Sequence, residues 1–434
     1  MHEPRLIDPL RRPLFRRLAA SYAVNELGDW MGIIALSVLV FDRTESALAT
    51  AALFLGTRFA PALFAPILVT HAERPPPRFA LPVIYCGEAA AFAALALLAG
   101  HFALAPVVVL AAVDGALALT GRALTRAVVA TALEPTGELR AGNAVLNVAF
   151  TGGAAVGPAL AGLVVAGFGV QSALLLDAVS FYAVAWILFR AGDMPQAEPE
   201  PGRMRDRVRA GVAYIREQTV LRRILTAQGA AFVFFAAVLP VEIVYAKETL
   251  RTGDTGYGVM LASWGVGMVF GSLVFARIRE TSLPYQLLFS TLAVAAGYLG
   301  LGFAPTLALA CAASVVGGAG NGIQWVVAIS AVQELTAEAM QARVMSVLES
   351  IGAAMPGVGF ALGGVIAALV SPRAAFFIAG CGVIAIVVVM APILGSAWSE
   401  RDEIPAAELD GHNDVVVELL PGGIPGKPST EEGR

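Results

Sequence analysis

Glu26 and Asp29 stand three residues apart in the first apolar run of this 434-residue chain, so a helix would place them on neighbouring faces. Two carboxylates that close in a low dielectric do not both ionise readily, and one of them could hold a proton near neutral pH. Asp114 lies in another apolar run, with Arg122 and Arg126 further along it. An arginine suits such a place because it stays charged and biases a neighbouring acid. A charge at mid-bilayer costs about 2.5–3.5 kcal/mol on insertion scales, so ionisable groups inside apolar runs are functional candidates by default. The competing reading is structural. Asp29 would then cap a helix or pair with Arg58 or Arg126, in an ion-pair network joining the first, second and fourth runs. Glu242, Asn321 and Gln324 are the polar groups of the second half, Glu349 has no evident partner, and Glu88 and Asp177 complete the set.

What must position these residues is a set of membrane-crossing helices. Hydrophobic residues make up 57% of the chain and charged residues 14%, where a soluble domain carries about 25% charged residues. The apolar runs approach the ~20 residues that cross a bilayer as helix. Twelve spans are expected, at 18–41, 48–69, 79–98, 102–133, 141–166, 170–189, 221–246, 256–276, 284–303, 306–332, 343–370 and 374–393. The chain divides into a six-helix bundle at 1–190, a linker at 191–220, a second bundle at 221–396 and a disordered tail at 397–434. The first run is too long for the apolar part of a signal peptide. Cys86, Cys311 and Cys381 lie in apolar runs and read as small core residues.

Of the 29 Lys and Arg, only Arg43, Lys247, Arg251 and Arg373 fall in loops on one face. Three more lie within spans and the others fall on the opposite face. The positive-inside rule therefore predicts both termini in the cytoplasm. In the linker, Val208, Val212 and Ile215 share one helical face and arginines crowd the other. That pattern suits an amphipathic helix on an anionic membrane surface, or a solvated basic segment.

The two halves carry a faint internal repeat. Glu134, Thr136 and Glu138 recur 200 positions later as Glu334, Thr336 and Glu338, and Gly152, Gly157 and Ala161 as Gly352, Gly357 and Ala361. In the first copy, Gly153, Gly157, Pro158, Ala161 and Gly162 form a stripe of small residues that lets helices approach closely, and the proline removes a helical hydrogen bond. Gly359, Gly363 and Gly364 are the looser counterpart. Few positions match, but the order of elements at one offset fits a molecule of two related halves.

These residues resemble the major facilitator superfamily, in particular its bacterial drug- and siderophore-exporter branch. The likeness is carried by "NELGDWMGIIALSVLVFDRTESALA", "RFAPALFAPI", "ALEPTGELRAGNAVLN" and "GGAAVGPALAGLVVAGFGVQSALLLDAVSFYAV", and covers about residues 16–395. The resemblance implies an all-α membrane protein of twelve transmembrane helices in two six-helix bundles. It makes Arg122 the span 4 arginine linked to proton coupling with a span 1 acid, and Arg126 the arginine at the cytoplasmic end of span 4. Spans 1, 4, 7 and 10 would line a central cavity, which offers Glu242, Asn321 and Gln324 as substrate contacts. Spans 3 and 6 would be peripheral, with Asp177 structural. The Gly-Pro element would mark an exporter. One departure concerns the loop after span 2, where the family carries Gly-x-x-x-Asp-Arg. Here Val69 replaces the glycine, Glu73 and Arg74 keep the acid–base pair, and Pro75–Pro77 interrupt the basic end. A partial echo, "GSLVFARIRE" with Gly271, follows span 8.

The expectation that results is a secondary active transporter in a bacterial plasma membrane, exporting an amphipathic small molecule (drug-, siderophore- or metabolite-like) by proton antiport. The alternatives are a facilitator-type importer, a lysolipid transporter, or a receptor or scaffold without transport. The expected partners are a small-molecule substrate, protons and the lipid bilayer, with no nucleic acid, cofactor or metal, and the chain is expected to be a monomer. An enzyme or ATP-driven pump is not expected. "GKPS" at Gly426 lacks the glycine of a phosphate-binding loop, and neither H-E-x-x-H nor G-x-S-x-G occurs.

Overall fold

Inside a bilayer no water satisfies the backbone, so the chain must satisfy it internally, and helices do this within one segment. The computed structural model describes residues 7–196, 204–275, 282–337 and 340–402, and among them it contains helices and no strand. Eleven helices are long and apolar enough to span a membrane. One of these, Leu139–Phe189, is two spans merged across Gly169, whose φ of 81° and ψ of 165° break the helix. That backbone region is essentially reserved for glycine. The break yields spans 5 (139–168) and 6 (170–189), and the total becomes twelve.

The other spans are 1 (Pro13–Thr44), 3 (Pro77–Gly100), 4 (Leu104–Leu133), 8 (Asp254–Phe275), 9 (Leu283–Phe303), 10 (Leu307–Glu334), 11 (Gln341–Leu369) and 12 (Pro372–Asp402). Spans 2 and 7 are interrupted. Span 2 runs as Ala47–Phe54, a π-helical turn Leu55–Phe59, and Ala60–Ala72. Pro61 has no N–H to offer the Thr57 carbonyl, and Gly115 of span 4 packs against that oxygen. Span 7 runs as Thr219–Val238, then breaks around Pro240, resumes at Glu242–Val244 and ends in a π turn, Tyr245–Thr249. The sequence alone predicts both as continuous, at 48–69 and 221–246. After span 2 the triple proline does end the helix, and Pro77 starts span 3 at a first-turn position where no N–H is needed.

Spans 1–6 and 7–12 form two six-helix bundles. Within them the repeat is visible as packing. Span 5 lies on span 1, with Gly157 against Trp30, and span 11 lies on span 7, with Gly352 against Phe232, while Gly357, the counterpart of Gly157, meets Phe59 of span 2 instead. Between them, span 5 meets span 8 and span 11 meets span 2. Gly258 abuts Pro158 and Gly162, Gly265 abuts Ala155, and Gly364 abuts Ala51. The Phe54 and Phe360 rings add a contact at 5.5 Å.

Three expectations are corrected. The linker helix Met204–Glu217 does not present its apolar face to lipid alone. Val212, Tyr214 and Ile215 pack with Val344, Val347 and Leu348 of span 11, and the Tyr214 hydroxyl accepts the Ala337 N–H at 3.2 Å. The face is amphipathic in either case, and a nearby protein surface covers it (the side chain of Val208 lies outside the described residues). Cys86 and Cys381 are exposed rather than core, because an apolar position in a membrane helix may face lipid as well as protein. The helix of span 12 runs on to Asp402, past the membrane-length part Pro372–Pro392 and into the stretch expected as tail. The rest of the tail, with "GKPS", lies outside the described residues, as do Ala276–Glu280 of the "GSLVFARIRE" echo.

Candidate functional site

Spans 1 and 4 run antiparallel, and their polar residues meet as rungs. Tyr22 faces Arg126, with Arg126 Nη2 donating to the Tyr22 hydroxyl at 2.8 Å. One turn deeper, Arg122 Nη1 donates to Asp29 Oδ2 at 2.7 Å and stands 3.7 Å from Glu26 Oε1. The i, i+3 spacing of Glu26 and Asp29 is what lets a single guanidinium address both carboxylates. Side-chain exposure falls from 20% at Arg122 to 8% at Asp29 and 1% at Glu26, so the arginine touches solvent while the acids sit behind it. Asp29 thus pairs with Arg122, not with Arg58 or Arg126 as the structural reading of the sequence had it.

Beyond this pair lies a cavity with about 30 Å³ of space for water, lined in part by Asp29, Thr57, Arg58, Asp114 and Arg122. A polar void of that size exceeds the roughly 10–15 Å³ that a water needs. The π turn of span 2 brings Arg58 to this wall, where its guanidinium also lies 5.7 Å from the Trp30 ring centroid. Asp114, two turns along span 4 from Arg122, is 8% exposed, and among the described residues its Oδ1 has no hydrogen-bond partner. The cavity therefore brings together four of the sequence candidates, Asp29, Arg58, Asp114 and Arg122, from three spans.

The small-residue stripe of span 5 seats this site. A Cβ at Gly153 would lie 2.9 Å from Cβ of Glu26, and one at Gly157 would lie 2.6 Å from Cβ of Trp30. Gly162, one turn beyond Pro158, faces the other bundle, where a Cβ would lie 3.0 Å from Cα of Gly258. The stripe so connects the acids of span 1 with the contact between bundles. Pro158 lies within continuous helix, and the break in this segment is at Gly169 instead. At the same end of the molecule as that contact, Lys247 at the close of span 7 pairs with Asp42 of span 1 and Asp254 of span 8.

A family model described as transmembrane secretion effector matches residues 6–422 of the sequence. The chain belongs to that family. No curated protein matches the sequence. Its fold is that of solved major facilitator transporters. The nucleoside transporter NupG aligns with a TM-score of 0.65 at 12% identity, over 87% of this chain and 98% of that one. The POT family transporter PepTSo aligns with a TM-score of 0.70 at 10% identity, over 89% and 98%. A bacterial homologue of the human lysosomal transporter Spinster, in an inward-facing and unoccupied conformation, aligns at 0.62 and 13% identity, over 90% and 96%. At such identities the likeness establishes the fold, and the chain is a multi-pass membrane transporter of the facilitator type.

The remaining candidates lie apart from the span 1–span 4 site. Glu242 follows the break in span 7 and is 6% exposed. Gln324 turns toward span 9, donating to Thr291 Oγ1 at 3.2 Å, and lines a separate pocket with Gln228, Leu287 and Met390. Asn321 is half-buried on span 10, and Glu349 on span 11 is exposed. In the loop after span 2, the backbone carbonyl of Glu73 accepts from Gln196 Nε2 at 2.8 Å. Among the described residues neither Glu73 nor Arg74 forms an ion pair.

Two residues that the sequence reading set aside as peripheral are close to the site. Glu88 of span 3 and Asp177 of span 6 are fully buried, at 0% and 2% exposure, with Asp177 against span 1 and Glu88 against span 4. The signal that could have found them was the one used for Asp29, an acid inside an apolar run.

Proposed function

We propose that the protein is a proton-coupled exporter that works by alternating access, with Asp29 and Arg122 as its coupling pair. The observation that carries this reading is the shared guanidinium of Arg122, 2.7 Å from one span 1 acid and 3.7 Å from the other. A proton arriving on Asp29 cancels its charge and loosens its hold on Arg122. The arginine is then free to turn to Glu26, and span 1 can shift against span 4. Because Glu26 also packs on Gly153, that shift reaches span 5, and through Gly162 it reaches span 8 of the other bundle. Coupling of this kind needs an element with two arrangements that both proton and substrate bias.

The bundles are joined at the Asp42 end, and along span 4 the polar side chains become more exposed toward the opposite end, from buried Asp114 through Arg122 to exposed Arg126. With both termini cytoplasmic, this arrangement is the inward-open one, ready to take an amphipathic compound from the cytoplasm or the inner leaflet. Glu242 and Asn321 are the substrate contacts proposed from the second bundle.

Transport in inverted vesicles tests the proposal. Asp29→Asn should abolish substrate movement driven by a pH gradient while leaving substrate binding measurable. Full pH-gradient-dependent transport by that variant would remove Asp29 from the mechanism.

A further inference from the structure

The first bundle holds more buried acid than its arginines can balance. Glu26, Asp29, Glu88, Asp114 and Asp177 lie around the site, and the arginines that face them are Arg58 and Arg122. Arg126 is exposed and engaged with Tyr22. Arg122 serves Asp29 and Glu26. Glu88 is completely buried and, among the described residues, neither of its carboxyl oxygens has a hydrogen-bond partner, and the same holds for Oδ2 of Asp177. An ionised carboxylate without a partner in the interior costs several kcal/mol, after relaxation, by general estimates.

Space has been made for these two side chains. Asp177 points at span 1, where Gly28 and Gly32 face it. A Cβ at Gly28 would lie 2.8 Å from Oδ1, and one at Gly32 would lie 3.2 Å from Oδ2. Glu88 points at span 4, where a Cβ at Gly121, next to Arg122, would lie 3.5 Å from its Oε1. The buried Phe181 ring stacks on Tyr85 and on Phe92, at 6.3 and 5.4 Å, and packs the sector around the two acids. The charged and titratable groups within electrostatic reach of Glu88 are Asp29 from span 1, Asp114 and Arg122 from span 4, Asp177 from span 6 and Tyr85 on its own helix. Those around Asp177 are Asp29 and Asp114. Among the described residues neither Glu88 nor Asp177 forms an ion pair, while Arg122 is held by Asp29 and Glu26.

We propose that Glu88 and Asp177 are proton-binding sites, each carrying one exchangeable proton, that form a second tier behind the Asp29–Arg122 pair. Phe92 of span 3 lines the cavity at Asp29 and Asp114 and packs on Phe181 of span 6, so movement of span 1 against spans 3 and 4 is what opens the two acids to water. They then add protons to the transport cycle beyond the one on Asp29. The inference rests on the proposed proton coupling for its role in transport, but the proton occupancy of the two carboxyls stands independently of it.

Infrared difference spectroscopy of the purified full-length protein in lipid nanodiscs reads that occupancy directly. A pH titration in heavy and light water should show carbonyl-stretch bands of buried carboxylic acids, one lost in Glu88→Gln and another in Asp177→Asn. Glu88→Asp and Asp177→Glu should restore a shifted band, which separates loss of the proton from loss of the fold. If neither substitution removes a band, both residues are ionised and the proposal fails. A band that responds to sodium at constant pH would replace the proton with a metal cation and would likewise overturn it. In vesicles, Glu88→Gln should lower the number of protons moved per substrate while Asp29→Asn abolishes coupling. An unchanged proton count in Glu88→Gln and Asp177→Asn, with bands present, would overturn their part in transport and leave Asp29 untouched.

Discussion

Lys247 of the second bundle grips Asp42 of the first, and the same ammonium lies 2.6 Å from Asp254 at the start of span 8. The π turn that carries Lys247 ends span 7, so the ion pair fastens the boundary between bundles at the end where they are packed together. Lys247 is 17% exposed and Asp42 46% exposed, which places the pair in water's reach. An ion pair of that kind contributes about 0.2–1 kcal/mol. Lys247→Gln should therefore raise the fraction of molecules open at this end by up to about fivefold, since one kcal/mol is worth that factor. A cysteine at Ala51, buried where span 2 meets span 11, reports the opening to a membrane-impermeant thiol reagent once the native cysteines are replaced. An unchanged labelling rate would mean that the ion pair does not hold the boundary closed.

Arg122 should be far more sensitive than Lys247. Removing one member of a buried ion pair leaves the other uncompensated, at about 3–5 kcal/mol. Arg122→Gln should unfold earlier in denaturant by an amount of that order, and the double variant with Asp29→Asn should recover much of it. Strict additivity of the two single changes would show that Asp29 and Arg122 do not interact in the folded protein.

The span 5 glycines should separate by what they touch. Gly157→Ala meets Trp30 and should destabilise by about 1–3 kcal/mol, as overpacking does. Gly152→Ala meets nothing within 4 Å and should be neutral or gain up to about 1 kcal/mol from helix propensity. Thermal melting in detergent distinguishes them. Equal melting points would contradict the close approach of span 5 to span 1.

The turn between spans 5 and 6 makes a backbone prediction. Gly169→Ala forces a side chain onto φ 81°, ψ 165°, which should cost about 1–3 kcal/mol. Gly167→Ala, two residues earlier with open space around it, serves as the control. Comparable melting temperatures for the two variants would argue against a glycine-only turn.

Apolar runs of bilayer length, polar breaks between them and a small-residue stripe are properties of neighbouring residues, so the twelve spans, the Gly153–Gly162 element and the intramembrane acids were all legible in the linear chain. Their periodicity is set by the helix, which every residue feels locally. The choice of Arg122 over Arg58 or Arg126 as the partner of Asp29 was not legible, because it depends on how far span 4 slides along span 1. The turning of Gln324 toward Thr291, the π turn that presents Arg58 and the burial of Glu88 and Asp177 against the site depend likewise on helix rotation and on contacts between spans remote in sequence. A lipid-facing position and a protein-facing one carry the same apolar residues, and only packing distinguishes them. That is why the chain by itself specified which groups were unusual, while the tertiary structure decided which of them meet.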